Sequence, residues 1–220
     1  ARLSKALLID ADARGADLSY ADLRGARASA VRLAGADLRQ ATLVKSELSR
    51  ADLRGADLRG ADMSGATLHH ANLGAARLQG AKLVDADLEG ARMEGANLKS
   101  AVSARVNLRR AQLSRADGTG LQARGAILRE VEATELVLRG ADLSRATLSS
   151  ATLRRCDLRE AQLRGADLTG ARLLRCTLFG ADLTGASMRG AVLDGSVYDA
   201  RSRWPAGVRP ARRSARAARA

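Results

Sequence analysis

The sequence predicts an all-β fold, a parallel β-helix in which short strands stack into a solenoid. Three observations lead to this prediction. Apolar residues recur every five positions, a period that fits neither the 3.6-residue turn of a helix nor the two-residue alternation of a strand. Aromatic residues make up only 2% of the 220 residues, so the 46% hydrophobic content consists mainly of Ala and Leu. The 21 Gly are spread along the chain, and each Gly inside a helix costs about 1 kcal/mol.

The five-residue repeat runs without interruption through residues 1–200, which divide into 40 units. The first position of the unit, counted from Ala1, is Ala in 31 units, and the third position, counted from Leu3, is Leu in 30 units and Met in three. The second position is Asp or Asn in 16 units, and the fifth is Gly in 18. This register predicts one repeat domain over residues 1–200 and a separate C-terminal segment over residues 201–220.

The unit itself predicts the geometry of the coil. Residues one and three share a side, as alternate residues of a short strand do, and the last two residues turn the chain, with Gly supplying positive φ. Four such corners close a square coil of 20 residues, and ten coils stacked at about 4.8 Å make a rod about 48 Å long. The following residues are expected in its apolar core: Leu53, Leu58, Met63, Leu68, Leu143, Leu148, Leu153 and Leu158.

The AlaAspLeuArgGly runs at 51–55 and 56–60, and the AlaAspLeuThrGly runs at 166–170 and 181–185, resemble the pentapeptide-repeat family. The resemblance covers residues 1–200 and implies a right-handed quadrilateral β-helix whose Ala and Leu positions point inward. It also implies two classes of function. Some members bind topoisomerases by resembling duplex DNA and protect gyrase, whereas others are protein-interaction scaffolds or rigid extensions of larger proteins.

The sequence contains little that could support catalysis. Its two histidines, His69 and His70, occupy adjacent turn positions, and no Ser/His/Asp, Cys/His or glycine-rich phosphate motif stands out. Cys156 and Cys176 replace inward Ala residues 20 positions apart, so they are expected to stack. A disulfide is geometrically allowed, but buried, reduced thiols are the preferred interpretation. We therefore predict a non-enzyme with no catalytic, cofactor-binding or metal site.

Charge is the most informative property of the predicted surface. The formal net charge is +13, and seven of the 37 Lys and Arg residues lie in 201–220, which has no acidic residue. Residues 1–200 therefore carry 30 basic and 24 acidic residues. A basic cluster near the C-terminal end, with two outward apolar residues, is the candidate interaction surface. Its members are Arg154, Arg155, Arg159, Arg172, Arg175, Leu174 and Phe179.

Both ends of a solenoid expose apolar interior and strand edges, so both require a cover. The bulky residues outside the regular repeats are expected to cap the last coil; they are Tyr198, Trp204 and Pro205. The composition of the Arg-rich residues 212–220 predicts a frayed helix or a disordered tail. No such cap precedes Leu3, which predicts an upstream domain or a partner at that end. Irregular repeats in residues 101–140 indicate a looser core, with a bend or groove as the alternative.

These observations favour a non-catalytic, rigid scaffold that binds a protein partner and forms a module of a longer protein. A second copy of the chain is an alternative partner. Two further functions stay open: a gyrase-binding DNA mimic, which the positive charge disfavours because mimicry needs an acidic surface, and binding of nucleic acid or another anionic surface through the Arg-rich end. No apolar run reaches the 18 residues of a membrane span, so no membrane contact and a cytoplasmic location are expected.

Overall fold

The computed structural model describes residues 1–208 and the backbone of residues 215–217, and it is a quadrilateral parallel β-helix. Its named strands are β1 (Glu132–Thr134), β2 (Thr152–Arg154), β3 (Arg172–Leu174), β4 (Ser196–Tyr198) and β5 (Ala215–Ala217). The first three form one parallel sheet in chain order, and β4 pairs in parallel with β5. Other units contribute single bridges, such as Asp52 to Asn72. Through Val197, the bridges of the repeats join residues 20 apart, so each coil contains four units.

Backbone hydrogen bonds account for four of the five N–H groups in a unit, as residues 51–55 illustrate. The N–H of the first position donates to the third position of the preceding unit and closes a turn. The second position donates to the preceding coil, and the third and fifth positions donate to the following coil, with N–O distances of 2.7–3.0 Å. The N–H of the fourth position is the group left over within this unit.

The side chain of the second position binds this remaining N–H. In all 16 units with Asp or Asn at that position, Oδ1 accepts a hydrogen bond from the N–H two residues later, at 2.9–3.3 Å. Arg54 donates to Asp52 in this way, and Gly74 donates to Asn72. This Asx turn completes the backbone hydrogen bonding of the unit, which explains why Asp and Asn recur at the second position.

The fifth position adopts a left-handed conformation in 39 of the 40 units, with φ between 54° and 70°. It is the third residue of the four-residue turn, where a type II turn requires positive φ. Gly occupies 18 of these positions, and 21 carry a side chain. A side chain costs about 1–2 kcal/mol in this conformation. The hydrogen bonds between coils therefore impose the turn even where the residue disfavours it.

The interior is a continuous column of first- and third-position side chains. The residues predicted for the core are each at most 2% exposed: Leu53, Leu58, Met63, Leu68, Leu143, Leu148, Leu153 and Leu158. The first-position Ala residues between them are equally buried. One small and one large side chain per unit fill the square section, which is why Ala and Leu alternate there.

The irregular repeats of residues 101–140 keep the coil register, since Asn97, Asp117 and Val137 form successive bridges. Gly118 stands where a Leu is usual, and Leu121 stands where an Ala is usual. A Cβ at Gly118 would lie 3.1 Å from a methyl carbon of Leu138 in the following coil and 3.5 Å from one of Leu121, so these two leucines fill the space beside the glycine. A cavity of about 20 Å³ remains there.

The C-terminal end of the described rod carries an aromatic pair. The rings of Tyr198 and Trp204 meet edge to face with centroids 5.3 Å apart, both pack against the core, and Pro205 is buried. We continue to interpret these residues as the cap. Residues 209–214 and 218–220 lie outside the described part of the chain, and so does most of the predicted tail over 212–220. At the other end, Leu3, Leu8 and Leu18 are partly buried and line a cavity of about 70 Å³.

Replacing a strained fifth-position alanine by glycine should stabilise the protein. Ala75 has φ 55° and is exposed. The change Ala75→Gly relieves about 1–2 kcal/mol of strain in the folded state. It also makes the unfolded chain more flexible, which favours unfolding by about 0.4–1 kcal/mol and offsets part of that gain. We expect the free energy of unfolding to rise by about 0.5–1 kcal/mol, measured by denaturant titration.

The matched control is Ala104→Gly at a fourth position, where φ is not positive. This variant should lower the free energy of unfolding by about 0.4–1 kcal/mol. Equal losses in both variants would show that the left-handed turn carries no such strain.

Candidate interaction surface

Most of the described surface charge is arranged in ion pairs. In six units with Asp at the second position and Arg at the fourth, the guanidinium binds the carboxylate at 2.5–2.7 Å. The same Asp also accepts the N–H of that arginine, as Asp37 does from Arg39. Further pairs connect neighbouring coils, such as Arg105 with Asp85 at 2.6 Å. In the described part of the rod, most positive groups therefore have a negative one beside them.

These contacts hold the carboxylates in their ionised form. Three of these aspartates, Asp12, Asp22 and Asp37, have a pKa lowered to about 2. In each case the main cause is the side-chain hydrogen bond from the arginine two residues later in the sequence. Hydrogen bonds from the backbone N–H of the same arginines act in the same direction. The ion pairs therefore persist throughout the neutral and mildly acidic range.

Four basic residues without an ion pair in the described chain are grouped together in the stacked units 151–155 and 171–175. Their sequences, AlaThrLeuArgArg and AlaArgLeuLeuArg, contain four Arg and no acidic residue. The four guanidinium groups are exposed, and within the described residues none of them lies in an ion pair. We call this group the arginine patch, and its members are Arg154, Arg155, Arg172 and Arg175.

The sheet formed by β1, β2 and β3 positions the patch. Its register sets Arg154 beside Leu174, while Arg172 lies beside a threonine of β2. Arg155 and Arg175 follow at left-handed fifth positions, with φ values of 54° and 56°. Together with Thr134 and Asp194, the four arginines and Leu174 line a shallow concavity of about 540 Å³.

A glycine in the next coil makes room for one of these arginines. A Cβ built on Gly195 would lie 3.0 Å from Cγ of Arg175, closer than such contacts normally allow. The absence of a side chain at Gly195 therefore lets the stem of Arg175 lie over the following coil.

Carboxylates flank the patch along the rod axis. Glu132 and Glu135 lie in the coil before it, since Glu132 pairs in register with Thr152. Asp194 lies in the coil after it. The basic region is therefore limited to two coils, about 10 Å at a strand spacing of about 4.8 Å.

The structure brings together five of the seven residues that the sequence proposed for an interaction surface. Arg154, Arg155, Arg172, Arg175 and Leu174 share the concavity. The other two, Arg159 and Phe179, belong to the next face of the coil, and Phe179 is half-buried there.

Arg159 differs from the patch arginines in its charge environment as well as its position. Its guanidinium binds Asp157 at 2.5 Å and 2.8 Å. The Asp two residues before it is a sequence signal that could have separated it from the unpaired arginines. Thr134 and the flanking carboxylates were missed because they become neighbours only when the chain is folded at 20 residues per coil.

The remaining reactive side chains lie elsewhere and are constrained. Cys156 and Cys176 are buried free thiols. The neighbouring Cys176 thiol, together with burial, raises the pKa of the Cys156 thiol and keeps it protonated. His69 Nε2 lies 2.8 Å from a carboxylate oxygen of Asp87.

In the described residues, no three His, Cys, Asp or Glu side chains converge as a metal site would require. No helix in that part of the chain is long and apolar enough to span a bilayer.

Comparison with known proteins gives one family and several solved structures. The family model described as pentapeptide repeats matches in eight copies, over residues 1–33, 32–69, 71–101, 128–159 and 156–195. One similar solved structure is HetL, a pentapeptide repeat protein involved in heterocyst differentiation regulation from the cyanobacterium Nostoc sp. strain PCC 7120. It is 36% identical to this chain, with a TM-score of 0.55, and the match covers 89% of this chain and 86% of that chain.

Two further structures are similar at lower scores. A second pentapeptide repeat protein from Nostoc is 31% identical over 52% of this chain and 86% of that chain, with a TM-score of 0.42. QnrB1, a plasmid-mediated fluoroquinolone resistance protein, is 20% identical over 78% of this chain and 91% of that chain, with a TM-score of 0.45. No curated protein sequence matches significantly.

The depressed carboxylate pKa values predict loss of stability in acid. Asp12, Asp22 and Asp37 have a pKa of about 2 in the folded protein, below the value of about 3.9 in an unfolded chain. The stability that these three carboxylates add to the folded protein is therefore complete above about pH 4 and is lost as the pH falls towards 2. We expect the thermal unfolding midpoint to fall over this interval, as followed by circular dichroism.

The triple variant Asp12→Asn, Asp22→Asn and Asp37→Asn provides the control. Asn keeps the Oδ1 acceptor for the fourth-position N–H, as Asn72 does natively, but it does not titrate. The variant should show a flatter profile between pH 4 and 2 than the parent. An unchanged slope would mean that these pairs do not govern the acid response.

Proposed function

Because this chain belongs to the pentapeptide-repeat family, we propose that it is a rigid, non-catalytic scaffold that binds a protein partner through the arginine patch. One observation carries the proposal. On the surface that the structure describes, four guanidinium groups that lie in no ion pair are grouped together, whereas most other cationic groups there have an anionic neighbour. Charges left without an intramolecular partner are available to a binding partner, and Arg is enriched at protein interfaces.

The fold supports a scaffold in two ways. The coil register continues through Val197, and the interior is filled with Ala and Leu side chains, so the rod offers a rigid outer surface. Catalytic sites are usually concave pockets with convergent polar groups of perturbed pKa. The cavities inside the described coils, of about 70 Å³ and 20 Å³, are lined almost entirely by apolar side chains.

Surface charge also favours this proposal over DNA mimicry. A protein that resembles duplex DNA needs free carboxylates in a continuous acidic face, because the site it occupies is basic. Here many carboxylates are bound to arginines, and the prominent unpaired cluster is positive. Binding through the Arg-rich end depends largely on residues beyond the described ones, so the patch supplies the stronger argument.

Photo-cross-linking in cells of the source organism tests the proposal. A benzophenone amino acid replaces Leu174 inside the patch or, as a control, Thr184 at an exposed fourth position on another face. We expect a discrete protein adduct from position 174 and none of the same mass from position 184, as detected by mass spectrometry. An adduct at twice the mass of this chain would identify the partner as a second copy.

The dependence on charge is tested in the same experiment. Adding Arg154→Glu and Arg155→Glu should abolish the adduct from position 174, because both changes reverse patch charges without altering a core residue. No adduct from position 174, or identical adducts from both positions, would contradict a partner at the patch.

A further inference from the structure

We propose that the arginine patch recognises a short acidic segment of its partner, laid in an extended conformation across the face of the β-helix. The segment carries acidic residues at both ends and an aliphatic residue between them. This inference rests on the proposed function and specifies the chemistry of the partner. Three features of the patch support it: its unpaired donors, its limits along the rod, and the position of Leu174.

The donors favour carboxylate recognition. Each guanidinium is permanently charged and presents five N–H donors in a planar fork, which matches the two oxygens of a carboxylate. Elsewhere on this rod the same pairing occurs internally, as between Arg59 and Asp57 at 2.6 Å. The patch arginines have no such carboxylate within the described chain, so a partner can supply it.

The flanking carboxylates set the direction of the ligand. A polyanion running along the rod would leave the two basic coils and meet Glu132 and Glu135 on one side and Asp194 on the other. Like charges at these points would repel it. A short segment that runs parallel to β2 and β3, across the rod axis, stays over the two basic coils and avoids Glu132 and Glu135, with Asp194 of the following coil beside it. The patch therefore favours a compact acidic ligand over a long one.

Leu174 accounts for the central apolar residue. In the order of the chain, Arg172 comes first, Leu174 follows two residues later on the same face of β3, and Arg175 turns the corner. Alternate residues of an extended strand lie about 6.6–6.8 Å apart. A partner strand can thus place an acidic side chain near Arg172, an aliphatic side chain over the half-buried Leu174, and a second acidic side chain near Arg155 and Arg175.

A protein segment fits this surface better than nucleic acid does. Single-stranded nucleic acid is usually bound by aromatic side chains on which bases stack, and none of the described residues that line this concavity is aromatic. Duplex DNA presents phosphates over a longer track, whereas the basic region spans two coils bounded by carboxylates. These points make nucleic acid the competing outcome of the test.

Fluorescence anisotropy with a synthetic peptide tests the inference. The probe is fluorescein-labelled Ser-Glu-Glu-Ser-Leu-Ser-Glu-Glu-Ser, and the matched probe has Gln in place of every Glu. We expect saturable binding of the Glu peptide, weakening as salt is raised, and binding at least about tenfold weaker for the Gln peptide. The full chain is used throughout.

Charge-reversal variants locate the binding. Arg172→Glu with Arg175→Glu should weaken binding of the Glu peptide by about tenfold or more. The control is Arg92→Glu with Arg50→Glu, which occupy the same second and fifth positions in other coils, are exposed, and form no ion pair in the described structure. It changes the net charge equally and should alter the affinity less than about twofold. Circular dichroism checks that both double variants keep the fold.

Several results would overturn the inference. These are no binding at millimolar peptide, equal binding of the two peptides, or equal losses in the two double variants. Tighter binding of a 12-base-pair DNA duplex or of a 12-nucleotide thymidine strand, lost in Arg172→Glu with Arg175→Glu, would assign the patch to nucleic acid. If the peptide fails while cross-linking at position 174 still captures a protein that depends on the patch, the scaffold proposal stands and only the acidic chemistry falls.

Discussion

Hydrogen bonds between successive coils are the interaction on which the rest of this structure depends. Three of the five N–H groups in a unit bind the neighbouring coils and one closes the turn, which leaves a single N–H to satisfy. The Asp or Asn at the second position binds that group in every unit that has one. Backbone groups without a partner are costly, so this small side chain completes the hydrogen bonding of the units that have it, while units with another residue at that position stack in the same register.

The same hydrogen-bond pattern separates the roles of the five positions. The first and third positions are committed to the interior, and the second to the turn, whereas the fourth and fifth face outward. Arg at the fourth position returns to the Asp of its own unit, and the resulting pairs cover much of the rod. In unit 151–155 the second position is Thr, so Arg154 at the fourth position lacks that internal partner. Arg172 stands at a second position and Arg155 and Arg175 stand at fifth positions, and none of the three lies in an ion pair within the described residues. The arginine patch thus combines a missing second-position Asp beside Arg154 with arginines at second and fifth positions.

The five-residue period was sufficient to predict the fold class, because a repeat this regular admits few backbone arrangements. It could not show which arginines are free, since pairing depends on neighbours one coil away as well as within the unit. Arg159 and Arg154 look alike in a list of basic residues, yet only Arg159 has an Asp two residues before it. The repacking at Gly118 was also hidden, because Leu138 of the following coil fills its space together with Leu121 of the next unit. Thr134 joins the concavity only through the register of β1 and β2.

The unbroken register has a consequence for how such a chain can change in length. Losing one residue would move every later side chain by one position and direct Asp or Arg into the apolar column. Gaining or losing 20 residues would leave each column intact and alter only the height of the rod, by about 4.8 Å. Evolution of this architecture is therefore expected to proceed by duplicating or deleting whole coils, which makes the rod a molecular spacer graded in steps of one coil.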